Sequence, residues 1–152
     1  IPKNLPSRYG QDMKRRTFLF ALLLPAVAEA HSFRLGNIAI GHAWALPSQQ
    51  NDGQVFFPLA NQGTTHDELV AARSDICATI ELRQNNRYDD PALTSIALEP
   101  KMPVPMRPTA RHLRLVGLKQ PLKKGDHFKM ILDFLNAGEI EIEVIVEDKP
   151  GD

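Results

Sequence analysis

Apolar residues recur at every second position through most of this chain, and that period fits a pleated strand with one buried face. Ile38, Ile40, His42 and Trp44 alternate with Asn37, Ala39, Gly41 and Ala43. The pattern returns in Val55, Phe57 and Leu59, in Ala78, Ile80 and Leu82, and in Phe128, Met130, Leu132 and Phe134. It ends with Ile140, Ile142, Val144 and Val146. Gly and Pro clusters separate these runs, at a spacing of roughly ten residues, and no amphipathic helical period interrupts them. One all-β domain, an antiparallel sandwich or barrel, is therefore expected. Its apolar face is expected from Trp44, Val55, Phe57, Leu82, Leu115, Phe128, Leu132, Phe134, Ile142 and Val144. Pro58 marks an edge or a bulge, because a proline cannot donate to a sheet ladder.

Within this pattern the stretch from Arg111 to Asp126 carries the most information. Leu113 and Leu115 alternate with His112 and Arg114, which puts a histidine and an arginine two residues apart on one strand face. The following Lys-Gln-Pro-Leu-Lys-Lys-Gly-Asp supplies turn chemistry: Pro121 fixes φ, and Gly125 is free to take φ > 0. Just upstream, Pro100, Pro103, Pro105 and Pro108 hold residues 101–109 extended outside any sheet.

The amino-terminal region reads as a targeting segment. Lys14, Arg15 and Arg16 precede an apolar run from Thr17 to Leu24, and Ala28-Glu29-Ala30 forms a small-residue cleavage signal. The run is too short for a membrane-spanning helix, so no span is expected after cleavage. Residues 1–12 are read as an upstream extension, 13–30 as a signal peptide and 31–152 as a single domain. That domain carries 13 Lys and Arg against 16 Asp and Glu, a balance that argues against nucleic acid as a partner. An exported, periplasmic location follows from the signal peptide.

No HExxH, CxxC, GxSxG or glycine-rich phosphate loop is present, so no enzymatic activity is expected. The lone Cys77 permits no internal disulfide and reads as a small buried residue. Among the five histidines, His66 and His127 sit at turns and His42 beside Trp44. His112 shares its face with Arg114. Cleavage after Ala30 would place the α-amine and the imidazole on His31, a nitrogen chelate suited to Cu(II). Cleavage after Ala28 would instead put His31 third, which suits square-planar Cu(II).

End to end, residues 31–152 resemble the periplasmic copper chaperones of the PCu(A)C family. The matching words are HSFRLGNIAIGHAWA, the Asn61-Gln62-Gly63 turn, Leu69-Val70-Ala71-Ala72, Ile80-Glu81-Leu82, HLRLVGLKQPLKKGD and FKMILDFLNAGEIEIEV. The resemblance implies a cupredoxin-like antiparallel β-sandwich of Greek-key type that carries copper to extracytoplasmic targets such as cytochrome oxidase. It also implies a Cu(I) site of two histidines and two methionines. One His follows the strand matching Ile80-Glu81-Leu82, a Met comes from the next loop, and a His-x-Met lies in the strand around His112. Here those positions read Arg83, Asn85 with a methionine-free loop after it, and His112-Leu113-Arg114. Of the four ligands only His112 remains, and Met102 and Met106 stand upstream of it at a different spacing.

Two readings follow. In the first, the chain is an exported copper chaperone-like protein with a degenerate Cu(I) site, its copper affinity resting on His112 and His31, with Met102 and Met106 as displaced thioethers. In the second, it is a metal-free sandwich that binds a protein or an anionic ligand. Arg83 and Arg114 would form the clamp there, with Arg107 and Arg111 beside them, since paired guanidinium groups hold carboxylates bidentately.

Overall fold

The computed structural model describes residues 32–149. Eleven strands are present among them: β1 Phe33–Leu35, β2 Ile38–Ile40, β3 Trp44–Ala45, β4 Asp52–Phe56, β5 Leu59–Asn61 and β6 Asp67–Arg73. The remainder are β7 Thr79–Arg83, β8 Ile96–Leu98, β9 His112–Val116, β10 His127–Phe134 and β11 Gly138–Val146. A small sheet, β1-β2-β5, faces a large one ordered β7-β9-β4-β3-β11-β10-β6-β8. The large sheet curls until β6 lies beside β7, and β8 reaches the small sheet at β5, so the sandwich is nearly closed. The expected signal peptide, residues 13–30, and His31 lie outside the described residues.

The ladder is antiparallel throughout except where β3 runs parallel to β11, with Trp44 opposite Ile145 and Ala45 opposite Val146. This departs from the purely antiparallel expectation, and the cause is a change of sheet. The run expected as one strand from Ile38 to Trp44 is split: β2 belongs to the small sheet and β3 to the large one. The return path splits likewise, with β4 in the large sheet and β5 in the small one. The two crossings meet at one corner, where the Gly41 N–H donates to the Pro58 carbonyl at 2.9 Å. A Cβ on Gly41 would lie 2.5 Å from Pro58 Cγ, so only glycine fits there. Pro58 sits outside both ladders, as its missing N–H requires.

All ten residues expected on the apolar face are buried. Trp44 is nevertheless on the wrong side of the sheet for the main core. Crossing between sheets shifts the parity of the alternation, so Ala43 and Ala45 face the core and Trp44 points outward with Phe56. The two rings stack at 4.6 Å between centroids. Phe56, fully buried, lies 6.0 Å from the His112 ring. A second, smaller cluster therefore occupies the outer face of β3, β4 and β9.

Candidate functional site

Strand β9 lies between β4 and β7, and its register fixes which outward side chains meet. Arg83 is opposite His112, Glu81 opposite Arg114, and Gln54 opposite Arg114 on the other side. Alternation sends Leu113, Leu115 and Leu82 to the core and leaves His112, Arg114, Glu81, Arg83, Asp52 and Gln54 on the outer face. The loop after β7 folds back over that face and lays Tyr88 on it. His112 is completely buried as a result, although it lies on the face opposite the main core.

Both ring nitrogens of His112 are engaged. Nδ1 lies 2.7 Å from the Ala110 carbonyl oxygen and Nε2 lies 2.8 Å from the Tyr88 hydroxyl. A carbonyl only accepts, so Nδ1 carries the proton and donates. Nε2 of the neutral ring must then accept from the Tyr88 O–H, whose oxygen in turn accepts from Gln54 Nε2 at 3.0 Å. Burial pushes the imidazole below the usual histidine range. The bond to Ala110 opposes that shift, and the charges of Arg83 and Arg114 add to it. His112 is thus held neutral in one tautomer.

The two arginines are satisfied within the chain. Arg83 donates through Nε and Nη2 to Glu81 Oε1 at 3.0 and 2.8 Å, and through Nη1 to the Asp90 carbonyl at 2.7 Å. Arg114 donates to the same Glu81 oxygen at 3.3 Å and, through Nη2, to Asp52 Oδ2 at 3.2 Å. Its Cζ also lies 4.0 Å from the Tyr88 ring centroid, within cation–π range. Burial disfavours ionisation of Glu81, but Arg83 and Arg114 outweigh it and hold the carboxyl below the usual range. The expected arginine pair is therefore assembled, and the anion it clamps is Glu81.

Sequence reasoning missed Glu81, Tyr88, Asp52 and Phe56. Glu81 was legible as a neighbour of Arg83 at strand spacing two. Tyr88 was the one aromatic side chain in a polar loop, a weak signal of something folded back. Met106 packs against the main core, whereas Met102 is 62% exposed on the proline-rich segment. Cys77 is buried, as expected, and burial raises its thiol pKa.

The other described histidines face carboxylates. His42 lies 2.9 Å from Glu147 and His127 3.6 Å from Glu143, while His66 lies between Glu68 at 2.8 Å and Glu99 at 3.0 Å. Hydrogen bonds to those two glutamates raise the His66 pKa to about 8. A group raised in the folded state stabilises fully below its unfolded value of 6.5, and the contribution fades as pH rises through about 8. The His66 Cε1 proton followed by NMR is expected to titrate above pH 7, and Glu68→Gln together with Glu99→Gln to return it towards 6.5. A wild-type midpoint near 6.5 would contradict the bridge.

Among the described residues no three His, Cys, Asp or Glu side chains are grouped to hold a metal ion. Nor do the residues at β7 and β9 suit Cu(I), which selects thioether and imidazole donors. The one imidazole is bonded at both nitrogens, and two permanent cations flank it.

A nearly closed β-sandwich with this strand order, and with an arginine-rich polar cluster at the end of β7 and β9, is a PCu(A)C-like cupredoxin fold whose described residues hold no intact metal site. The copper-bound PCuAC domain from PmoF2 superposes with a TM-score of 0.70 at 25% identity, covering 78% of this chain and 99% of that domain. The apo PCuAC domain from PmoF1 matches with a TM-score of 0.70 at 22% identity, over 78% of this chain and all of that domain. Cu(I)-loaded DR1885 of Deinococcus radiodurans shares the fold with a TM-score of 0.57 at 16% identity, covering 71% of this chain and 78% of that protein. Residues 38–146 match the family model described as "Putative lipoprotein LpqE-like", and the chain belongs to that LpqE-like family. It is 22% identical to "Putative lipoprotein Lxx21020" of Leifsonia xyli subsp. xyli over 86% of this chain and 82% of that protein.

Proposed function

We propose that this is an exported, non-catalytic copper chaperone-like protein of the periplasm whose Cu(I) position on β9 is closed, and whose copper affinity rests on His31. One observation carries the reading. On a scaffold like that of a copper-bound PCuAC domain, His112 spends both nitrogens on Ala110 and Tyr88 between two arginines. Removal of the segment 13–30 would expose the α-amine and imidazole of His31 together, a donor set for Cu(II). Copper hand-over to an acceptor such as cytochrome oxidase would then start from the amino terminus. The rival reading, an external anion held by Arg83 and Arg114, has less support because Glu81 and Asp52 already fill both guanidinium groups.

Titration of the processed chain with Cu(II) and with Cu(I), monitored by absorbance and competition with a chelator, tests this. His31→Ala is expected to abolish Cu(II) binding, and His112→Ala to leave it unchanged. Cu(I) binding that is lost in His112→Ala would overturn the proposal, as would copper affinity no greater than that of a histidine-free control.

A further inference from the structure

Seven arginines occur among the described residues, and five of them have partners. Arg34 donates to Gln62, Arg73 pairs with Glu139, Arg83 with Glu81, Arg87 with Asp90, and Arg114 with Asp52 and Glu81. Arg107 and Arg111 alone make neither an ion pair nor a side-chain hydrogen bond, and the Nε–H of Arg111 is buried without an acceptor. Both belong to one tight turn, closed by the Arg107 N–H donating to the Arg111 carbonyl at 3.0 Å. In a domain whose acidic residues outnumber its basic ones, two unpaired arginines on one turn are a local reversal of charge.

That turn ends a segment, residues 101–109, that is rigidly mounted and outwardly exposed. Lys101 N–H donates to the Asn61 carbonyl at 2.9 Å, and Val104 exchanges both backbone bonds with Leu59 at 2.8 and 3.0 Å. Val104 is buried while Lys101, Met102, Pro103, Pro105 and Arg107 are exposed. Met102 is one of two large exposed apolar side chains among the described residues. The segment is bracketed by the two non-glycine residues with positive φ among the described residues, Lys101 and Thr109, each at 67°. Such conformations are costly for a lysine and more so for a β-branched threonine, and they cluster where a chain is held ready for a ligand. Exposed Met and Arg on a preorganised backbone match the composition of protein interfaces.

We infer that residues 101–111 form a docking ridge for an acidic segment of a partner protein, with Arg107 and Arg111 taking its carboxylates and Met102 an adjoining apolar side chain. The inference does not depend on where copper is held. Its chemistry is that of bidentate guanidinium–carboxylate pairing next to an apolar anchor.

The probes are two synthetic peptides, one of alternating Glu and Leu and one of alternating Lys and Leu, titrated into the 15N-labelled full chain. Inorganic phosphate is the third titrant. The acidic peptide is expected to shift amides of residues 101–111, with at least tenfold weaker binding to Arg107→Gln/Arg111→Gln and several-fold weaker binding to Met102→Ser. The Lys peptide is expected to leave them unmoved. Far-UV circular dichroism establishes that each variant is folded, and the single exposed change Arg107→Gln serves if the double variant is not. Equal binding by wild type and variants, or no shifts in this segment, would overturn the ridge. Phosphate reproducing the same shifts at the same concentration would assign the arginines to a free anion and overturn the protein partner.

Discussion

Phe56→Ala is expected to lower the free energy of unfolding by about 3–5 kcal/mol, read from urea denaturation. The side chain is fully buried, yet it lies outside the main core, between the Trp44 and His112 rings. Truncation therefore removes the middle of the outer cluster and leaves a void between Trp44 and His112. A loss below about 1 kcal/mol would mean that this face is loosely covered and that the cluster contributes little. The same variant is expected to let solvent reach His112. Its imidazole, held below the usual histidine range by burial in the wild type, should then titrate closer to that range.

The second large effect is expected at Glu81. One carboxylate oxygen receives hydrogen bonds from both Arg83 and Arg114, and the Arg83 side chain is only 6% exposed. Glu81→Gln leaves two guanidinium groups competing for a neutral acceptor. Breaking a fully buried pair costs about 3–5 kcal/mol; with the Glu81 side chain 31% exposed, a loss of about 2 kcal/mol is expected. The pH dependence has a definite sign. A carboxyl held low in the folded state contributes stability above its unfolded pKa of 4.5, and that contribution disappears as pH falls through the folded value. Wild-type stability should decline below about pH 4.5, and the Glu81→Gln variant should show a shallower decline. Identical acid profiles would remove Glu81 from the account.

Alternation was enough to place the strands, because a buried face must recur every two residues. It was enough for the core as well, since Val55, Leu115 and Ile142 keep one parity within one sheet. It failed at the corner, where Gly41 and Pro58 carry the chain between sheets and the parity of Trp44 reverses. Nothing in a one-dimensional pattern records that crossing. The turn at Gly125 behaved as read, with φ at 96°.

For the polar cluster, the replacements at Arg83 and Arg114 were visible in the sequence, and so was their mismatch with Cu(I). What filled the space was not visible. Tyr88 reaches His112 across 24 residues, and Asp52 reaches Arg114 across 62, contacts that exist only once β4, β7 and β9 are aligned. His112 was a metal candidate because the family resemblance retained it there. It proved enclosed because a loop, not a strand, supplied the cover.

The parallel pairing of β3 with β11 has a consequence for how the chain reaches this shape. β11 is the last strand in sequence and lies in the interior of the eight-stranded sheet, between β3 and β10. Until residues 138–146 are available, the large sheet exists only as two unconnected halves. Closing it requires Trp44 to meet Ile145, a contact spanning most of the domain, and such distant contacts make folding slow. The half-formed sheet also exposes strand edges that could pair wrongly. A chain built this way cannot complete its sheet while its final strand is still being made.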